Sequence, residues 1–79
     1  MNKEHNFIKI YYTDFDDLVD GCDYYERYKC LVCGMLEGRH YNKKNKKTPL
    51  IIIPYTKNNG VYITLEKLTC NEFILKTIL

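Results

Sequence analysis

The residues of this chain best suited to chemistry are four cysteines, Cys22, Cys30, Cys33 and Cys70, and two histidines, His5 and His40. Cys30 and Cys33 stand in a C-x2-C pair followed by Gly34. That is the spacing of a zinc knuckle, in which a tight turn aims backbone amides at two thiolates. Zinc takes four tetrahedral thiolate or imidazole ligands. His40 follows Cys33 closely, and Cys22 or Cys70 is available as a fourth donor, so the metal set read from sequence is Cys22, Cys30, Cys33 and His40. A second C-x2-C or an H-x3-5-H, the usual other half of such a site, is absent. The first expectation is therefore packed thiols and no cofactor. Zinc is the alternative, and a redox pair the third reading.

No catalytic constellation is visible. A cysteine nucleophile with His5 or His40 needs an orienting third group and an oxyanion site, and the sequence offers no recognisable context for either. Gly34 and Gly38 lack the Lys-Ser/Thr of a phosphate loop. The aspartates do not follow the calcium-loop pattern. The chain is expected not to be an enzyme.

Charge is segregated along the chain. Acids dominate up to Tyr28 and cations from Lys29 to Lys57, within a net charge of +2. Arg39, Tyr41, Lys43, Lys44, Lys46 and Lys47 form a basic stretch suited to phosphates and to stacking on a base. Asp14, Asp16, Asp17, Asp20, Asp23 and Glu26 form an acidic one, with Tyr24, Tyr28, Leu31 and Met35 beside it as apolar anchors for a protein partner.

The elements that must position these groups follow from periodicity and caps. Phe7 to Tyr12 is rich in β-branched and aromatic residues and predicts a strand. Thr13 to Gly38 opens on a Thr-Asp cap and stops at a glycine, which predicts one long helix. Its apolar residues fall on two opposite sides, which calls for a bend at Gly21 or a partner surface; a strand over Tyr24 to Val32 is the rival reading. Arg39 to Thr48 reads as a loop. Leu50 to Tyr55 predicts a strand, with Pro54 at an edge or bulge. Asn59-Gly60 predicts a hairpin into Val61 to Leu65, with Val61, Ile63 and Leu65 inward. Thr69 and Glu72 form a capping box for a short helix over Cys70 to Ile78, with Leu68 and Phe73 as its staple. The sum is a single α+β domain over residues 1–79, a small β-α-β-β-α arrangement. A three-stranded, mainly antiparallel sheet is packed by one long helix, with a short C-terminal helix.

The N-terminal residues lack the apolar core of a signal peptide, and no stretch is long and apolar enough to span a membrane, so a cytoplasmic location without a membrane partner is expected. In its Asn, Lys, Ile and Tyr usage the chain resembles small proteins of phages and mobile elements, inhibitors of host defence nucleases and anti-CRISPR proteins among them. The resemblance implies a non-catalytic inhibitor acting in the host cytoplasm, whose acidic, Tyr-rich helix docks on a larger protein or ribonucleoprotein with a basic surface. The alternative is a small nucleic-acid-binding protein, zinc-stabilised in one version, using residues 39–47. A homodimer through the second apolar face is compatible with either.

Overall fold

In the computed structural model, which describes residues 4–78 and side chains through Lys76, the chain is a five-stranded antiparallel meander with one helix at its end. The strands are β1 (Phe7–Thr13), β2 (Tyr24–Cys30), β3 (Leu36–Tyr41), β4 (Ile51–Asn58) and β5 (Val61–Thr64), followed by α1 (Cys70–Ile78). They lie side by side in chain order. Among the described residues, no helix is long and apolar enough to cross a membrane.

The long helix expected from Thr13 to Gly38 is not formed, and with it falls the three-stranded β-α-β-β-α arrangement. The start signal falls on Asp16 rather than on the expected Thr13–Asp14 cap, and it is local. Asp16 Oδ1 accepts the N–H groups of Leu18 (2.9 Å) and Val19 (3.1 Å), as an N-cap would. Such side-chain bonds also stabilise turns, in competition with a helix. Gly21 at φ 87° and Gly34 at φ 83° then place left-handed turns on either side of β2. The two apolar sides inferred for a helix are the two faces of a strand. Tyr24, Glu26, Tyr28 and Cys30 project one way, and Tyr25, Arg27 and Lys29 the other. Gly38 caps nothing and lies within β3, where an added Cβ would come within 3.2 Å of His40 Nε2.

Two further expectations are corrected. Arg39, His40 and Tyr41 belong to β3, which leaves a shorter turn over residues 42–50. Val61 and Ile63 are exposed rather than inward. The hairpin itself holds: Asn59 (φ 51°) and Gly60 (φ 82°) are both left-handed, as a two-residue turn of the favoured hand requires. Pro54 lies inside β4, between β3 and β5, yet costs no ladder bond. Its carbonyl accepts Leu65 N–H (2.8 Å) just past the last β4–β5 pair, Tyr55↔Thr64, so its missing donor faces the end of β5.

The face of Tyr24, Glu26 and Tyr28 carries a satisfied polar layer. Glu26 takes Lys9 Nζ and the Tyr28 hydroxyl, while Arg39 pairs with Glu37 at 2.6 Å and lies 3.9 Å from the Tyr28 ring centroid. The apolar core is small and lies at one end of the sheet. Met35, Leu68 and Phe73 form it, with Phe7, Cys33 and Leu65 packed against them.

Candidate metal centre

Four donor atoms converge beside that core. His5, Cys30, Cys33 and Cys70 each present one ligand atom, all within 4.8 Å of one another, and the cluster could hold a metal ion. Three elements deliver them. Cys30 ends β2, and its N–H donates to Met35 O (2.9 Å) while Gly34 N–H donates to Cys30 O (2.9 Å). This closes a tight turn that presents Cys33 beside Cys30, with Gly34 supplying the left-handed residue. Cys70 is the first residue of α1, fixed by the reciprocal box: Glu72 N–H donates to Thr69 Oγ1 (3.2 Å) and Thr69 N–H to Glu72 Oε1 (2.9 Å).

The distances suit a four-coordinate ion. Cys30 Sγ and Cys70 Sγ are 3.6 Å apart, Cys33 Sγ lies 3.5 Å from His5 Nδ1, and Cys70 Sγ 3.0 Å from it. Bond lengths of about 2.3 Å to sulfur and about 2.0 Å to nitrogen give tetrahedral edges of about 3.5–3.8 Å. His5 Nε2 lies 2.6 Å from Leu68 O, the carbonyl that accepts its proton when Nδ1 is kept as the lone-pair donor. Burial alone would push the Cys30 thiol up. The amides of Cys33, Asn6 and Val32 and the His5 ring outweigh it and lower Cys30 to about 6. Burial and the neighbouring thiols push Cys70 up to about 12, and burial raises Cys33. One ready thiolate among crowded thiols is a site whose remaining protons a cation would displace.

The structure unites only part of the sequence-derived metal set. Cys30 and Cys33 are in the cluster. Cys22 and His40 sit at the other end of β2, where His40 Nδ1 meets Asp16 Oδ2 at 2.6 Å. His5 and Cys70 take their places. Cys70 carried a faint signal, since a well-capped helix begins on it; His5 carried none without the β1–β2 register.

The acidic and apolar partner set does not share a face. Asp14, Asp17 and Asp20 are exposed in residues 14–23, Asp16 is turned in to His40, and Asp23 Oδ2 accepts Lys43 N–H (2.8 Å). Tyr24 stacks on Tyr41, Glu26 and Tyr28 join the polar layer, Leu31 is exposed in the turn and Met35 is wholly buried. In the basic set, Lys43, Lys44, Lys46 and Lys47 are exposed, whereas Arg39 is paired with Glu37 and Tyr41 is buried. Burial, then Glu26, pushes the Tyr41 hydroxyl up to about 12.

Comparison with known proteins gave no match: no family model, no curated protein and no solved structure is significantly similar to the chain.

Proposed function

We propose that the chain is a zinc-stabilised, non-catalytic module in which the ion ties the segment before β1, the β2–β3 turn and the start of α1 into one structural unit. The carrying observation is the convergence of three thiols and one imidazole at mutual distances of 3.0–4.8 Å. Three cysteines and a histidine fill all four positions, which is the closed pattern of structural sites. Catalytic sites keep one position for water. Soft sulfur donors favour zinc over magnesium or calcium.

The inhibitor reading loses the rod on which its acidic residues were to be displayed, and the metal reading takes first place. The test is elemental analysis of protein purified without chelator, followed by cobalt substitution. One equivalent of zinc, with the intense visible bands of tetrahedral thiolate-bound cobalt, is expected. His5→Ala and Cys70→Ser should each weaken metal retention by tenfold or more, whereas Cys22→Ser, remote from the cluster, should leave it unchanged. Metal-free protein with an unaltered melting temperature in chelator would sink the reading.

A further inference from the structure

Arg27 has no carboxylate partner among the described residues. Its guanidinium lies 5.3 Å from the ring centroid of Tyr11, 5.5 Å from Tyr25 and 5.0 Å from Tyr62, and its Nη1 donates to the Tyr62 hydroxyl at 3.2 Å. These side chains come from β2, β1 and β5. They meet across β3 and β4 because Gly38, directly opposite Arg27 in the register, has no side chain to intervene.

The rest of the face has the same chemistry. Lys29 and Lys57 project from it, and Lys57 Nζ lies 5.4 Å from the Tyr62 ring centroid. Both strand carboxylates, Glu26 and Glu37, project from the opposite face and are bound there by Lys9 and Arg39. Of the nearby loop acids, Asp16 is taken by His40, and exposed Asp17 lies at the rim beside Tyr25. A groove of about 440 Å³ runs over Gly38 and Ile53, between Leu18 and Val19 of residues 14–23 and Tyr62 of β5. That lies within the range of about 300–1,000 Å³ common for ligand sites.

Aromatic rings interleaved with unpaired cations suit a ligand that offers flat rings and regularly spaced negative charge. A duplex hides its base faces, and an acidic peptide has charge without rings. Single strands expose both. We propose that this face of the sheet binds single-stranded nucleic acid, with the exposed rings of Tyr11 and Tyr62 stacking on bases, buried Tyr25 backing Arg27, and Arg27, Lys29 and Lys57 neutralising phosphates. The surface is distinct from residues 42–48 and does not depend on the metal reading.

Fluorescence anisotropy with a labelled mixed-sequence single strand of about 12 nucleotides, within the span such grooves accommodate, tests it. The metal content of every sample is measured alongside. The single strand should bind at least about tenfold more tightly than the duplex of the same sequence. Log K against log salt should fall with a slope of about −2, three cations at about 0.7 each on single strands. Tyr62→Ala, at an exposed position, should cost about five- to a hundredfold. Lys57→Gln should flatten the slope by about 0.7. Changing Lys43, Lys44, Lys46 and Lys47 together to glutamine should leave affinity within about twofold of the parent.

Four outcomes overturn the proposal. One is no binding of the single strand. Another is binding that follows the loop lysines and ignores Tyr62. A third is equal competition by polyglutamate, which would make the occupant an acidic peptide. The last is self-association that Tyr62→Ala abolishes without any nucleic-acid binding, which would make it a second copy. Tyr62-dependent binding by protein that holds no zinc would sink the metal reading and leave this one standing.

Discussion

Asp16 serves two sets of partners with one carboxylate, its Oδ1 accepting two backbone amides of its own loop while Oδ2 meets the buried His40 ring. Burial would raise its pKa, but the His40 bond and the two amides outweigh burial and hold it below the usual 3.8. A carboxyl depressed in the folded state adds stability above its unfolded pKa, and that contribution is lost as the pH falls through the folded value. Asp16→Asn keeps the Oδ1 acceptor for the loop amides and replaces the charged Oδ2 acceptor facing His40 with a neutral NH2 donor. It should cost about 1–3 kcal/mol at neutral pH, read as a lower urea midpoint. The difference from the parent should shrink once the pH is well below 3.8. A gap independent of pH would show that shape, not charge, anchors the loop. At this scale the sequence was partly legible: the Cys30–Cys33 spacing is a local pattern, whereas the cap expected at Thr13 and Asp14 falls on Asp16. The His40–Asp16 and His5–Cys70 meetings depend on strand register, which no local pattern specifies.

Helix α1 illustrates an element whose local chemistry reaches the site. Thr69 and Glu72 close the box, Leu68 and Phe73 bury the staple, and Cys70 is carried into the cluster as a result. Thr69→Ala should cost about 1 kcal/mol of stability, the usual loss for a helix cap. Metal affinity should also fall, by several-fold in a chelator competition, because the Cys70 thiolate loses its fixed approach. Unchanged affinity would mean that the core alone positions Cys70. This helix was legible because cap, box and staple are all local, as was the Asn59-Gly60 hairpin. The segment from Tyr24 to Met35 was legible only in the rival reading, a strand over Tyr24 to Val32, where β2 forms. Tyrosines occupy both faces of β2, so the period of two that marks a half-buried strand is not a simple alternation of apolar and polar. The same residues also project onto two sides of a helix. Only the glycine turns at 21 and 34 and the pairing with β1 and β3 decide between them, and pairing is a non-local quantity. Ile78, the last residue of this helix, has its side chain outside the described residues.

For the molecule as a whole, the sheet is broad and thinly covered. Its accessible surface is 5830 Å², against about 5,050 Å² for a typical folded monomer of this mass by size scaling. Its Cα radius of gyration is 13.2 Å, against about 11.6 Å for a compact chain of this length. The largest wholly buried side chains are Met35, Cys30 and Cys70, and two of these belong to the metal cluster. The core cluster and the proposed metal site are thus one structure, and the buried apolar side chains elsewhere, Cys22, Tyr25, Tyr41 and Tyr55, are mostly tyrosines spread over the sheet. In small domains of this kind the binding energy of a structural metal becomes folding energy. Chelation should therefore unfold the sheet cooperatively rather than loosen one end. Hydrogen exchange is the decisive measurement. On adding chelator, the amides of Tyr25 in β2 and its β3 partner His40, at the end of the sheet remote from the cluster, should lose protection together with those of Cys30 and Phe73, and readdition of zinc should restore both. Loss confined to the cluster and α1 would show that the tyrosine-rich end of the sheet, with the Asp16–His40 pair as its anchor, folds without the ion.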